Sequence, residues 1–345
     1  MLLACMHLPA KEDTPGLKVL RRGRVLIDNA GMATRHLAAF AFAMFSVLAA
    51  PRITQAQVRR QPYTELRYQS STAARLNPLG LFSFFEMGPR YRLYRSPQDA
   101  FMANFVGFGF LGGLSPAFGR VGLYAEVQPL SLLRLWASYE LVGYFGSFNN
   151  LASFPSASAD ITERNLRERG AAGTPPYNTM GGEFRAGANA QVKLGPIALR
   201  DTLRFTHSSL NVRSGDRVFY DPVTDILVPN DGWVVTNDVD LLALVEEIRF
   251  AVGARWSYAH GFFDQGHYNP GELAGPVPDN DIHRLGLLAS YTFEDNGGAR
   301  FDRPTLSLLV QWHLLHRTRT GQEIDTAIPY TGIAFQFFGD LLADH

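Results

Sequence analysis

The chain has 345 residues and a formal net charge of zero, with 19% charged and 12% aromatic residues. The even balance argues against nucleic acid, which calls for a basic excess, and a mean hydropathy near zero is too polar for a bundle of membrane helices. The one cysteine, Cys5, lies ahead of the expected processing site, so the mature chain is expected to hold no disulfide or thiolate metal site. With no P-loop or dinucleotide fingerprint in a usable context, no cofactor is expected either.

Residues 1–31 read as an extension from a start codon called too early. Met32-Ala-Thr-Arg-His then opens a small basic region, followed by the apolar run Leu37 to Ala50 and the small-residue site Thr54-Gln55-Ala56. This is the layout of a secretory signal peptide over 32–56, cleaved after Ala56. The apolar run is about 14 residues, short of the ~20 that a spanning helix needs. The sequence predicts an exported chain with one domain over 57–345.

That domain reads as strands with a side-chain repeat of two. Tyr63–Ser70 is the first candidate, followed by Leu81–Tyr94, with Phe85, Met87, Tyr91 and Leu93 on one side. Met102–Gly112 sets Val106, Phe108 and Phe110 opposite glycines. Gly119–Gln128 sets Val121, Leu123, Ala125 and Val127 against Arg120, Tyr124 and Glu126. Leu132–Gly146 sets Leu133, Leu135, Ala137, Tyr139 and Leu141 against Arg134, Ser138 and Glu140. The cleanest alternation is Glu183–Leu194, where every even position is apolar. Ile197–Ser208, Asp238–Val245, Ile248–Tyr258, Leu285–Phe293 and Leu306–Leu314 follow, and Ile333, Phe335 and Phe337 mark a last strand.

Connection lengths alternate. Short links fall at Pro129–Ser131, Gly195–Pro196, Glu246–Glu247 and Glu294–Arg303; long ones at Ser147–Thr179, Ser209–Val235 and Ala259–Ile282. Aromatic residues gather at segment ends: Tyr144, Phe145, Trp256, Tyr258, Tyr291, Phe293 and Trp312. Together these predict an all-β fold, a single transmembrane antiparallel up-and-down barrel of about 12 strands with both termini at the short-turn end.

In pattern the mature chain resembles the bacterial outer-membrane β-barrel class, with no specific family singled out. The resemblance implies an outer-membrane location, the lipid bilayer and lipopolysaccharide as surroundings, and handling by the outer-membrane assembly machinery. One departure is that Phe337-Phe338 is followed by Gly-Asp-Leu-Leu-Ala-Asp-His, where such barrels commonly finish on an aromatic residue. The competing expectation is a secreted soluble barrel or sandwich, in which the apolar face points inwards.

The functional readings are a narrow porin-like channel or a non-catalytic surface component. The charges on the polar parity, Arg120, Glu126, Arg134, Glu140, Glu183, Arg185, Arg200, Arg204, Arg249, Arg255 and Arg284, would line the lumen. They would either bound a small pore or pair across it as a plug. A third reading is enzymatic. His207 and Ser209 lie two apart, on the lipid side of the seventh strand near its outer end. They resemble the catalytic pair of outer-membrane phospholipase A and the lipid A deacylases, in which imidazole accepts the serine proton. Asn211, Asp238 or Asp240 are candidates to orient the histidine. Asp221, Asp225, Asp231, Asp238 and Asp240 read as a solvated acidic segment, with Ca²⁺ binding as the alternative.

Overall fold

The computed structural model describes residues 63–148, 151–170, 173–272, 280–295, 299–320 and 327–343. The expected extension and signal segment lie outside the described residues.

Twelve strands form a closed barrel in which each is paired with its chain neighbours, an antiparallel up-and-down meander. They are β1 (Thr64–Leu76), β2 (Gly80–Tyr91), β3 (Phe105–Leu114), β4 (Phe118–Leu130), β5 (Leu133–Phe145), β7 (Asn178–Leu194), β8 (Ile197–Leu210), β11 (Gly232–Val245), β12 (Phe250–Gly261), β13 (Ile282–Thr292), β14 (Asp302–Leu315) and β15 (Tyr330–Asp340). Three short strands, β6 (Ala152–Phe154), β9 (Val218–Asp221) and β10 (Ile226–Pro229), make a separate sheet in the order β10-β9-β6. Closure is made by β1 on β15, from Arg67 opposite Asp340 to Leu76 opposite Thr331. A closed barrel leaves no unpaired sheet edge, which hydrocarbon would penalise by several kcal/mol per unsatisfied backbone group.

The side chains sort as the alternation predicts. Leu123 is 59% exposed, Phe110 66% and Leu287 60%, and all lie on the outside, while Glu126 and Glu140 face inwards and are buried. The soluble alternative required the opposite orientation and is overturned. Each outward aliphatic or aromatic side chain gains about 1.5–3 kcal/mol in hydrocarbon over water, so the outer belt holds the barrel in lipid. At the short-turn end Tyr291 meets Phe293 at 5.0 Å and Phe301 meets Phe337 at 5.0 Å. At the long-loop end His207 and Phe184 both pack on Trp233. Tyr144 departs from the expected girdle. It points inwards, 3% exposed, and packs on Phe118.

Several strands run longer than the alternation suggested. β7 starts at Asn178, β11 at Gly232 and β14 at Asp302. β11 begins directly after the positive-φ residue Asp231, and its first turn of residues pairs with Ser208 to Phe205. The tight turn at Gly195-Pro196 is as expected, with Gly195 at φ 58, a left-handed conformation that glycine adopts without strain. Beyond Phe338 the chain stays tied to β1. Asp340 Oδ1 accepts the Leu66 N–H at 2.9 Å and the Leu342 N–H at 3.0 Å.

A charge placed on the lipid face measures the orientation. Leu123→Arg is expected to cost about 2–4 kcal/mol in urea unfolding from lipid vesicles, whereas arginine at the lumen-facing Thr202 costs far less. Equal costs would contradict the assigned faces.

Candidate functional site

The long-loop mouth of the barrel is filled by the chain itself. β6, β9 and β10 are short runs, Ala-Ser-Phe, Val-Phe-Tyr-Asp and Ile-Leu-Val-Pro, and nearly every residue in them is buried. Continuous apolar runs belong to strands covered on both faces, and both faces are covered here. One packs Phe219, Ile226 and Val228 against the inward-facing wall residues Phe118, Val142, Tyr144, Val234 and Ile282. The other packs Val218, Tyr220 and Leu227 against Ala157, Ile161, Leu166 and Tyr268 from the loops above. The links expected as long loops at Ser147–Thr179 and Ser209–Val235 therefore contribute β6, β9 and β10 to a plug.

The tip of the β9–β10 hairpin is fastened through one carboxylate. Asp225 is fully buried in a left-handed turn, φ 65. Its oxygens accept hydrogen bonds from Tyr220 Oη at 2.6 Å, Arg319 Nε at 2.5 Å and Nη2 at 3.1 Å, and His316 Nε2 at 3.1 Å. His316 Nδ1 accepts the backbone N–H groups of Thr318 and Arg319, which assigns the ring proton to Nε2 and makes it a donor to Asp225. Arg75 of β1 donates to the carbonyls of Pro222 and Val223 on the same tip. Burial opposes ionisation of Asp225, but His316 and Arg319 outweigh it and hold the carboxyl well below the usual range. Burial and the neighbouring Asp225 push the Tyr220 hydroxyl well up, so it stays a donor.

Below the plug the lumen wall carries the expected charges in ladders across neighbouring strands. Glu126 sits between Arg90 at 2.6 Å and Arg134 at 2.5 Å. Gly107 makes room for the first pair, since a Cβ there would meet Arg90 Cγ and Glu126 Oε1, each at 3.0 Å. Arg120 bridges Glu140 at 3.0 Å and Glu183 at 3.3 Å, and Arg185 reaches Glu183 at 2.7 Å. Asp240 holds Arg200 and Arg255, each at 2.6 Å. Arg204 lies over the Trp136 ring, 5.9 Å from its centre, and Arg284 over Tyr330 at 4.3 Å. Arg249 is a correction. The link between β11 and β12 spans 246–249 rather than Glu246–Glu247, and Arg249 closes its 3₁₀ turn at φ 54, exposed and outside the lumen.

His207 and Ser209 do share the outward face of β8 at the long-loop end, opposite Phe184 and Gly182 of β7. The His207 ring meets Trp233 edge-on at 5.1 Å. Among the described residues no hydrogen bond joins it to Ser209 or to a carboxylate. Asp238 and Asp240 are on the other side of the wall, bonded to Ser257 and to the Arg200–Arg255 pair. The backbone of Asn211 is spent on Met180 and Thr179. The aspartates expected as one acidic segment are scattered: Asp221 caps the 222–224 turn, Asp225 locks the plug, and Asp231 turns the chain into β11.

No protein-family model and no curated protein matches the chain. Among solved structures it is similar to a KdgM porin, 8% identical over 81% of this chain and 100% of that one, with a TM-score of 0.35. It is also similar to the translocator domain of autotransporter NalP from Neisseria meningitidis, 10% identical over 90% and 94%, TM-score 0.38. LpxR from Salmonella typhimurium is 11% identical over 79% of this chain and 99% of that one, TM-score 0.33. At this level of identity and structural similarity nothing of their chemistry or role follows for this chain.

The lock has a pH signature. A depressed folded pKa stabilises above the ordinary aspartate value of about 4 and is lost as pH falls through the lower folded value. Protection of the 211–231 segment from proteolysis is expected to hold from neutral pH down to about 4 and to fail only in stronger acid. Asp225→Asn takes from the buried Arg319 its closest charge partner, leaving Glu163 at 3.4 Å, a loss of up to about 3–5 kcal/mol, and is expected to abolish protection at every pH. Protection in that variant equal to wild type would contradict the lock.

Proposed function

We propose that the protein is an integral outer-membrane barrel that forms a narrow channel for small polar solutes, closed on its outer side by the β6–β9–β10 plug. The carrying observation is that charges facing into the barrel are nonetheless accessible to water. The side chains of Arg200, Arg134 and Arg255 are 43%, 26% and 21% exposed. Side chains that met and filled the lumen would leave no such access. The ladders run between near neighbours on the wall, and in this reading water reaches the lumen past Arg134, Arg200 and Arg255, while Arg120, Glu126, Glu140 and Glu183 are closely packed around their ion pairs. A lumen of this kind selects solutes by size and by the charge they present to the wall.

The plug supplies the gate in this reading. Its apolar faces seat it firmly, while its tip is held by polar contacts, the Asp225 carboxylate with Arg319 and His316 and the tip carbonyls with Arg75, which can be exchanged without breaking the sheet. The long-loop end then faces the cell exterior and lipopolysaccharide, and the short turns and termini face the periplasm, where the assembly machinery delivers the chain. A lipid-ester hydrolase using Ser209 and His207 is a second reading, favoured by their shared outward face among aromatic residues. It requires ester hydrolysis that disappears in Ser209→Ala.

In planar bilayers the wild-type barrel is expected to conduct weakly, and Asp225→Asn to conduct several-fold more by freeing the plug tip. Insertion of both proteins without conductance would sink the channel reading and leave a surface component.

A further inference from the structure

Asp238, Ser257, Arg284 and His313 lie on one rung of the inner wall, register partners in turn across β11, β12, β13 and β14. The acid on this rung is already engaged, since Ser257 donates to Asp238 at 2.5 Å. Arg284 has only the ring of Tyr330 beneath it. Its Nε and Nη1 have no hydrogen-bond partner among the described residues, and neither has either ring nitrogen of His313, a residue 8% exposed. Buried donors in folded proteins are almost always paired, and unpaired ones call for an explanation.

The surroundings say what would pair them. The His313 ring meets that of His316 at 5.1 Å, where the plug lock touches the wall. Asp225 is saturated by Tyr220, Arg319 and His316, and Arg75 is spent on backbone carbonyls. The carboxylates at this seam, Asp225 and Asp238, are both already hydrogen-bonded to other groups. Buried guanidinium and imidazole groups left without partners on adjacent strands suit a carboxylate or a phosphate, which accepts several charge-assisted hydrogen bonds at once.

We propose that Arg284 and His313 form an oxyanion-binding site in the lumen, beside the seam between plug and wall, that takes the carboxylate or phosphate group of a small solute. The proposal rests on the reading of the lumen as water-filled, and it adds a preference for anions carried by two named side chains. Arg284 supplies the fixed charge. His313 supplies a neutral N–H donor, its tautomer set by whichever nitrogen faces the anion.

The test is calorimetric titration of the full-length barrel, folded in detergent, with inorganic phosphate and separately with acetate, at constant ionic strength in chloride. Wild type is expected to bind at least one of them saturably. Binding of phosphate alone, of acetate alone or of both identifies the class. Arg284→Gln is expected to weaken binding at least tenfold, His313→Gln less, and Arg284→Lys to retain part of it. Heat-modifiable gel migration establishes that each variant is folded, and if Arg284→Gln fails to fold, His313→Gln and Arg284→Lys decide. No saturable binding of either anion, or unchanged affinity in the folded variants, overturns the site. Because binding needs no conduction, a silent barrel that binds removes the channel reading alone, and a conducting barrel that does not bind removes this site alone.

Discussion

The lipid environment allows a strand no unpaired backbone group, and most of the molecule follows from that constraint. Twelve strands satisfy it by closing β15 on β1. Closure then divides every strand into a lipid side and a lumen side. Charge is expensive on the first, so the arginines and carboxylates collect on the second, where they must find partners or water. The Glu126, Glu140–Glu183 and Asp240 ladders are that settlement, each acid set between arginines on nearby strands.

The plug is the second consequence of closure. An open mouth leaves the apolar upper lumen wall, Phe118, Val142, Val234 and Ile282, facing water. β6, β9 and β10 cover it, and the loops above cover their other face. The result is an apolar plug in the mouth, with one buried carboxylate, Asp225, at its hairpin tip. That arrangement concentrates control of the mouth in a few side chains: Asp225 with Arg319 and His316, and Arg75 at the hairpin tip.

The wall was legible in the sequence because a barrel strand advertises itself with a period of two. Glu183–Leu194, Gly119–Gln128 and Leu132–Gly146 show it plainly, and the strand number and the turn at Gly195-Pro196 follow. Arg249 failed because parity was counted through a 3₁₀ turn, where the alternation of faces does not apply. Tyr144 failed because apolar plug contacts, not lipid, cover the top of β5. The plug itself was missed for a related reason. Val218-Phe219-Tyr220 and Ile226-Leu227-Val228 are continuous apolar runs without alternation, the mark of a strand buried on both faces. Between two long polar stretches they passed for loop. The Asp225 lock had no local signal, since Arg319 is 94 residues away and only the fold unites them.

The central claim is a hollow, water-filled lumen closed at one mouth, and side-selective labelling tests it most directly. With Cys5 replaced by Ser, a lone cysteine at the lumen-facing Thr202 is exposed to a charged, membrane-impermeant thiol reagent from either side of oriented vesicles. The prediction is modification from the short-turn side and protection from the long-loop side, with Leu199→Cys on the lipid face unreactive from both. Protection of the Thr202 position from both sides would show a solid interior, and equal reaction from both would show a mouth that the plug does not close.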